Sequence, residues 1–275
     1  MVSSLISDRS NQNPTWQWQN WQGLPYLTCT LLQDWKHGFF TQQFYPHTPE
    51  NLTEVLNPEA KTYRLKQVHG NRILTPTEID QELKSETIEG TFPPGDGLIT
   101  DNFNQAIWVA SADCTPVLIG DIKTQTVAAI HAGWRGTAKR IVPEVVARFQ
   151  DFGSSLENLR IAMGPAIAGE VYQVSEDVAI EVGSSLFKKG EIGSQKEILG
   201  SLQAMFDPPI LSDSEAGKVR LDVRRVNSLQ LEQLGIKSEQ IAIAPYCTYR
   251  QPDYFFSYRR TQEKKVQWSG IVGKL

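Results

Sequence analysis

Cysteine and histidine are scarce in this chain, with three and four copies among 275 residues. The cysteines, Cys29, Cys114 and Cys247, lie far apart and form no Cys-x-x-Cys pair. That argues against a disulfide framework and fits a reducing compartment. No stretch approaches the ~18 apolar residues of a membrane span. The first residues hold neither an apolar run nor a basic segment of the signal-peptide kind, so the expected location is cytoplasmic. Basic excess is absent too: the net charge is -4 and the pI about 5.7. Such a chain has no general attraction to nucleic acid or an anionic membrane. Neither an internal repeat nor a low-complexity tract is found.

What is present is ordinary globular material, 40% hydrophobic and 21% charged, long enough for a sizeable core. Trp16 and Trp18 alternate with Gln and precede a Gln22-Gly23 turn signal, which predicts a hairpin with the tryptophans on one face. Residues 106–110, 116–119, 126–131 and 159–163 are apolar runs of strand length; residues 240–244 and 254–258 read as late strands. Ile141, Val142, Val145, Val146 and Phe149 share a helical face. Thr137 is its expected N-cap, and Pro143 predicts a kink or a late helix start. Ser175 and Asp222 open two more helices, the second ending at Gly235. Residues 1–13 read as frayed, residues 46–61 and 76–96 as loops, and residues 188–218 as an insertion or mobile loop. The expected class is α/β (α+β), mixed β-sheets with flanking helices. The expected division is an N-terminal extension and hairpin over 1–34, then a single catalytic domain over 35–275.

Three residues suggest a metal. His69 lies in Lys66-Gln67-Val68-His69-Gly70, Cys114 in Asp113-Cys114-Thr115-Pro116, and His131 ends an apolar strand. Imidazole and thiolate are the ligand types zinc prefers, and three protein ligands leave a fourth position open for chemistry. Spacing alone does not carry this. The separations match no zinc pattern, and a strand-end histidine or a buried cysteine is commonly a packing residue. Arg135, next to a helix start, suits an anion such as phosphate, with a surface salt bridge as the plain alternative. Arg259 is a second such cation. Asp113 is the carboxylate nearest Cys114 in sequence and the candidate proton carrier, unless an extended backbone turns it away. The N-terminal tryptophans and Cys29 read as core, whereas Cys247 is a spare thiol within possible reach of the site.

A series of motifs then carries a resemblance. Lys66-Gln67-Val68-His69-Gly70, Asp96-Gly97-Leu98-Ile99-Thr100, Ala112-Asp113-Cys114-Thr115-Pro116 and His131-Ala132-Gly133-Trp134-Arg135-Gly136-Thr137 occur in that order. Gly164-Pro165-Ala166-Ile167, Val171-Tyr172-Gln173-Val174, Cys247-Thr248 and Phe255-Phe256-Ser257-Tyr258-Arg259-Arg260 follow, with His37-Gly38-Phe39-Phe40-Thr41 upstream. Over roughly residues 35–260 the chain resembles the YfiH-like family, long labelled multicopper polyphenol oxidase or laccase domain and now regarded as zinc-dependent purine nucleoside phosphorylases. The resemblance implies His69, Cys114 and His131 as metal ligands, and a fold with some likeness to a deamidating toxin domain. It implies phosphorolysis of adenosine, inosine, guanosine and methylthioadenosine, and deamination of adenosine. The implied partners are a small purine nucleoside and phosphate, with no nucleic acid and no membrane, in a monomer or small homo-oligomer. The implied cofactor is Zn2+, with Cu2+ as a substitute. The chain departs from the family between Thr41 and Leu65, at Ala168-Gly169-Glu170 and in its tail, none of which touches the three proposed ligands.

Chemistry narrows the choice. A multicopper laccase needs roughly ten histidines for its copper sites, and this chain has four. The His-x-Glu signature of zinc deaminases is missing. One rival class is a cysteine amide hydrolase with Cys114 as nucleophile and His69 or His131 as base; for it the resemblance implies the editing of cell-wall precursors. Another is a non-catalytic binding module.

Overall fold

The computed structural model describes residues 15–85, 92–188, 191 and 194–274. Fifteen strands and eight α-helices follow one another along the described chain. The first part runs β1 (Trp16–Trp21), β2 (Leu24–Cys29), β3 (His37–Phe40), α1 (Pro49–Leu56), β4 (Lys61–Arg64), β5 (Ile73–Leu74) and α2 (Pro76–Ser85). The middle runs β6 (Gly97–Ile99), β7 (Gln105–Ser111), β8 (Thr115–Asp121), β9 (Val127–Ala132), α3 (Trp134–Ala138), α4 (Ile141–Asp151) and β10 (Leu159–Met163). The rest runs β11 (Gln173–Ser175), α5 (Glu176–Ser184), α6 (Gln195–Gln203), β12 (Ile210–Ser212), β13 (Lys218–Leu221), α7 (Val223–Gln233), β14 (Ile241–Ile243), α8 (Tyr258–Thr261) and β15 (Gln267–Val272).

Two six-stranded sheets, in the orders β1-β2-β3-β15-β7-β4 and β14-β10-β8-β9-β6-β5, form the centre. Side chains on a strand alternate between its two faces, and on the central strands β7, β8 and β9 both faces are buried. On β7, Ile107 and Val109 enter the core between the sheets, while Ala106 and Trp108 pack outward on α1 through Leu52 and Leu56. On β8, Leu118 joins the inter-sheet core, while Val117 and Ile119 face α4 and α7 through Val145, Phe149 and Leu231. The result is a helix, two sheets and a helical layer, stacked in that order. This is the mixed α/β class that the sequence predicts. A third sheet, β11-β13-β12, packs with α5 and α6 around Val182, Leu202 and Val219. No described helix is long and apolar enough to cross a membrane.

Local chemistry explains the elements, including those the sequence reading assigned otherwise. β1 and β2 form the expected hairpin, whose turn residues Gln22 and Gly23 both have positive φ, at 51° and 90°, as a tight two-residue turn requires. The hairpin continues the first sheet through β3. Residues 46–61 and 76–96 are not simply loops, because each contains a helix opened by a Thr-Pro pair. Thr48 N–H donates to Asn51 Oδ1 ahead of Pro49. Thr75 and Glu78 exchange side-chain and backbone hydrogen bonds around Pro76. Such boxes satisfy the free N–H groups of a first turn, and proline fits there without loss.

Residues 188–218 likewise hold α6 and β12, anchored by the buried Leu202 and Ile210. Residues 254–258 are not a strand, because no described strand pairs with them. Instead Phe255 is buried and Ser257 caps α8 by accepting from Arg260 N–H. Thr137 is not an N-cap but a buried residue inside α3. The chain breaks at Arg140, with φ 60°, and α4 starts late, with Pro143 in its first turn. Residues 1–13, read as frayed, lie outside the described residues.

Candidate metal centre and its surroundings

The turn of residues 112–114 carries the chain from β7 in one sheet to β8 in the other. Cys114 sits at its end. His131 lies on β9 opposite Pro116, so the strand pairing itself places this imidazole next to Cys114. His69 arrives from the loop between β4 and β5, with a left-handed backbone at φ 58°. A non-glycine residue in that region is strained and must be held by its surroundings. Asp96 supplies the hold. Its carboxylate, with no solvent exposure, accepts from the backbone N–H groups of Val68, His69 and Gly70 at 3.2, 3.0 and 2.7 Å.

The same carboxylate accepts from His131 Nδ1–H at 2.8 Å. That bond fixes the tautomer and leaves the Nε2 lone pair free to act as a ligand. The two imidazoles meet edge to face, with ring centroids 4.8 Å apart. One donor atom from each of His69, Cys114 and His131 lies within 4.8 Å of the others. Tetrahedral ligands about 2.0–2.3 Å from one ion would sit ~3.3–3.8 Å apart, so the cluster needs only a small contraction to close on zinc. The donor set fits a zinc-type ion, and no other such cluster occurs among the described residues.

Electrostatics agree with the donor chemistry. Burial pushes the Cys114 thiol up, but the charges and hydrogen bonds of His131 and His69 outweigh it and bring the pKa down to about 6. Burial pushes His131 down, but Cys114 and Asp96 outweigh it and raise the pKa to about 9. Burial also works against the Asp96 carboxylate, yet His131 and the Gly70 and Val68 N–H groups hold it below its usual value. In the metal-free pair these shifts favour a thiolate on Cys114 beside a protonated His131. The backbone presses on it from behind: a Cβ on Gly133 would lie 2.8 Å from Cys114 Sγ.

The cluster opens on a cavity of about 330 Å³. Leu65, Ala110, Val266 and Trp268 give it apolar walls, and Tyr258, Glu263, Lys264 and Lys265 line its rim. Arg135 and Arg259 are not among its lining residues. They belong to a separate group around Tyr172, whose hydroxyl feels the charges of Cys114, Arg259, Asp113 and Arg135. Each guanidinium lies over an aromatic ring, Arg135 over Trp134 at 4.2 Å and Arg259 over Tyr172 at 4.8 Å. Neither forms an ion pair with a described carboxylate, and the Arg259 guanidinium donates to the Gln173 carbonyl, at 2.8 Å.

Asp113 has both oxygens engaged. Oδ1 accepts from Thr248 Oγ1 and Oδ2 from the Arg259 backbone N–H, each at 2.7 Å. Its carboxylate therefore joins the Cys114 turn to the segment carrying Arg259. Cys247 is buried, and its Sγ accepts from Ala168 N–H rather than joining the cluster.

Two contributors went unassigned at the sequence level. Asp96 sits in a Pro-Pro-Gly-Asp-Gly turn whose role depends on folding back to His131. Tyr172 lies in the segment Val171-Tyr172-Gln173-Val174, whose sequence alone assigns it no role. The other two histidines serve structure. His37 accepts from Cys29 N–H at Nε2 and donates from Nδ1 to the Trp35 carbonyl. His47 Nδ1 lies 2.6 Å from the Phe44 carbonyl.

The family model described as multi-copper polyphenol oxidoreductase laccase matches residues 48–273. The chain belongs to that family. Among its relatives, a purine nucleoside phosphorylase of Synechocystis sp. is 55% identical over 94% of this chain and 97% of its own length. An adenosine deaminase, RL5, from an unknown prokaryotic organism is 27% identical over 71% of this chain and 68% of its own. The crystal structure of YfiH from Bacillus licheniformis superposes with a TM-score of 0.72 at 23% identity, covering 91% of this chain and 96% of that one. That likeness is one of fold. With His37 and His47 committed to backbone partners, this laccase-family chain has only His69 and His131 to offer a metal at the site.

Proposed function

We propose that this laccase-family protein is a zinc-dependent purine nucleoside phosphorylase that also deaminates adenosine. The observation that carries the reading is the convergence of His69, Cys114 and His131 beside a cavity of nucleoside size. The name of the Synechocystis relative supports the substrate class, and that of RL5 supports the second activity.

His69, Cys114 and His131 would hold the ion, with copper as a possible substitute. Bound there, it supplies a Lewis-acid charge and an open coordination position at the cavity floor. The chain's own groups do the rest. Leu65, Val266 and Trp268 offer apolar surface to the base and exclude water from it. Arg135 and Arg259 hold phosphate, because their charges lack a carboxylate partner. A phosphate oxygen attacks the ribose C1′, the glycosidic bond breaks, and the base leaves with the bonding pair and takes up a proton. Asp113 orders the Arg259 segment beside Cys114, since both its oxygens already serve hydrogen bonds.

The test is metal analysis followed by incubation with adenosine or inosine and phosphate, with products separated by chromatography. Free base and ribose 1-phosphate, absent with Cys114→Ala and His131→Ala, support the reading. Zinc bound stoichiometrically with no nucleoside turned over rejects it. One observation favours a second reading: Cys114 lies against the imidazoles of His69 and His131, an arrangement that would also suit a cysteine amide hydrolase. Amide hydrolysis that persists without metal, with a trapped acyl-thiol on Cys114, would establish that alternative.

A further inference from the structure

The Tyr172 hydroxyl has no hydrogen-bond partner among the described residues, and it feels the charges of Cys114, Arg259, Asp113 and Arg135. Its ring is fixed from one side by the Arg259 guanidinium, 4.8 Å from the centroid. Arg259 is fixed in turn by Asp113 at its backbone and by the Gln173 carbonyl at its side chain. Tyr172 and Trp134 each pack against the apolar cluster of the third sheet, and Trp134 carries Arg135 over its ring. Asp113, next to Cys114, thus ties down the segment whose Arg259 lies over Tyr172, and Arg135 follows two residues after Gly133, which abuts Cys114 Sγ; none of Arg135, Arg259 and Tyr172 lines the 330 Å³ cavity.

We propose that Tyr172 donates its hydroxyl to a phosphoryl dianion held by Arg135 and Arg259, and so sets the affinity for phosphate without taking part in nucleoside recognition. This rests on the phosphorylase reading above. The chemistry suits the assignment. A group bounded by two cations accepts an anion, and a hydroxyl that burial holds protonated, with its pKa raised to about 12, can only donate to it. A planar carboxylate would be served by one bidentate guanidinium, whereas a tetrahedral dianion uses donors from several directions. The same dianion could be free inorganic phosphate or the 5′-phosphate of a nucleotide.

Tyr172→Phe tests this cleanly, because it removes the hydroxyl and keeps the ring beneath Arg259. In zinc-loaded protein of verified metal content, KM for phosphate at saturating inosine should rise about tenfold or more, the effect of one hydrogen bond to a charged group. KM for inosine and the phosphate-free deamination of adenosine should stay within about twofold. Isothermal titration with inorganic phosphate should weaken in parallel. Tyr172→Leu, which also removes the ring, should lose more. An unchanged KM for phosphate in both variants overturns the inference while leaving wild-type phosphorolysis standing. Absence of ribose 1-phosphate with the wild type defeats the underlying reading instead. If Tyr172→Phe impairs only the binding of inosine 5′-phosphate, the dianion is a nucleotide's and the assignment to free phosphate fails.

Discussion

Asp96 and His131 are joined twice: His131 Nδ1–H donates to Asp96 Oδ1 at 2.8 Å, and the His131 backbone N–H donates to the Asp96 carbonyl at 2.8 Å. The remaining capacity of the Asp96 carboxylate goes to the three N–H groups that hold the strained His69 loop. One carboxylate thus orients two of the three proposed ligands, although it contributes no ligand atom itself. Carboxylates in this position typically change metal affinity 10–100-fold when removed. Asp96→Asn is expected to weaken zinc by about that factor, read by competition with a chelator of known affinity. A change under about threefold would show that the two histidines are held by something else.

Gly133 makes a different demand on the same site. A methyl there would stand 2.8 Å from Cys114 Sγ and 3.4 Å from His69 Cδ2. Gly133→Ala should therefore push the thiol out of register and lower zinc content sharply, with far less effect on folding. Gly200 is the control, since it lies in α6 with nothing within 4 Å of an added Cβ. Gly200→Ala should stabilise by about 0.4–1 kcal/mol through helix propensity and a less flexible unfolded chain. Equal zinc retention in the two variants would remove the steric argument.

The contrast between Asp96 and His131 also marks what could be read in advance. Strands β7 to β10 were legible because both their faces are buried, which makes them continuous apolar runs bounded by turns. Asp222 and Gly235 marked both ends of α7 through capping alone. α1 and α2 were missed because their polar, proline-containing sequences resemble loops, although Thr48-Pro49 and Thr75-Pro76 carried the start signals. At the site, His69, Cys114 and His131 came from their surrounding motifs, because their spacing reflects passage between two sheets and follows no local rule. Asp96, 35 residues from His131, and Tyr172, contributed from beside the third sheet, depend on tertiary contacts that no periodicity encodes.

The thiol of Cys114 offers a pH-dependent readout in the metal-free protein. Its pKa lies near 6, against an ordinary value of 9.0, so the reactive thiolate dominates above pH 6 and is lost as pH falls through it. Alkylation by iodoacetamide, followed by mass spectrometry, should rise through an inflection near pH 6. Cys29, pushed by burial to about 11, should stay unmodified across the same range. His131→Gln removes the neighbouring positive charge and should move the Cys114 inflection upward. Zinc should protect Cys114 in the wild type. An inflection near 9 in the metal-free protein would contradict the thiolate–imidazolium pair.

His37 governs a separate acid transition. Burial lowers its pKa from 6.5 to about 4, with only the Trp35 carbonyl bond opposing. The neutral ring is what the fold requires, because Nε2 accepts from Cys29 N–H at 2.8 Å. Between pH 6.5 and 4 the unfolded chain takes up this proton and the native chain does not. The stabilisation is therefore complete above pH 6.5 and declines as pH falls, by ~2 kcal/mol at pH 5 and ~3 kcal/mol below pH 4. Urea unfolding at pH 7.5 and pH 5 measures the decline against the background of the carboxylates. His37→Gln has no titrating group at this position, so its drop between the two pH values should be smaller by about 2 kcal/mol. An equal drop in both proteins would mean that the acid sensitivity lies elsewhere and that His37 is protonated without cost in the native state.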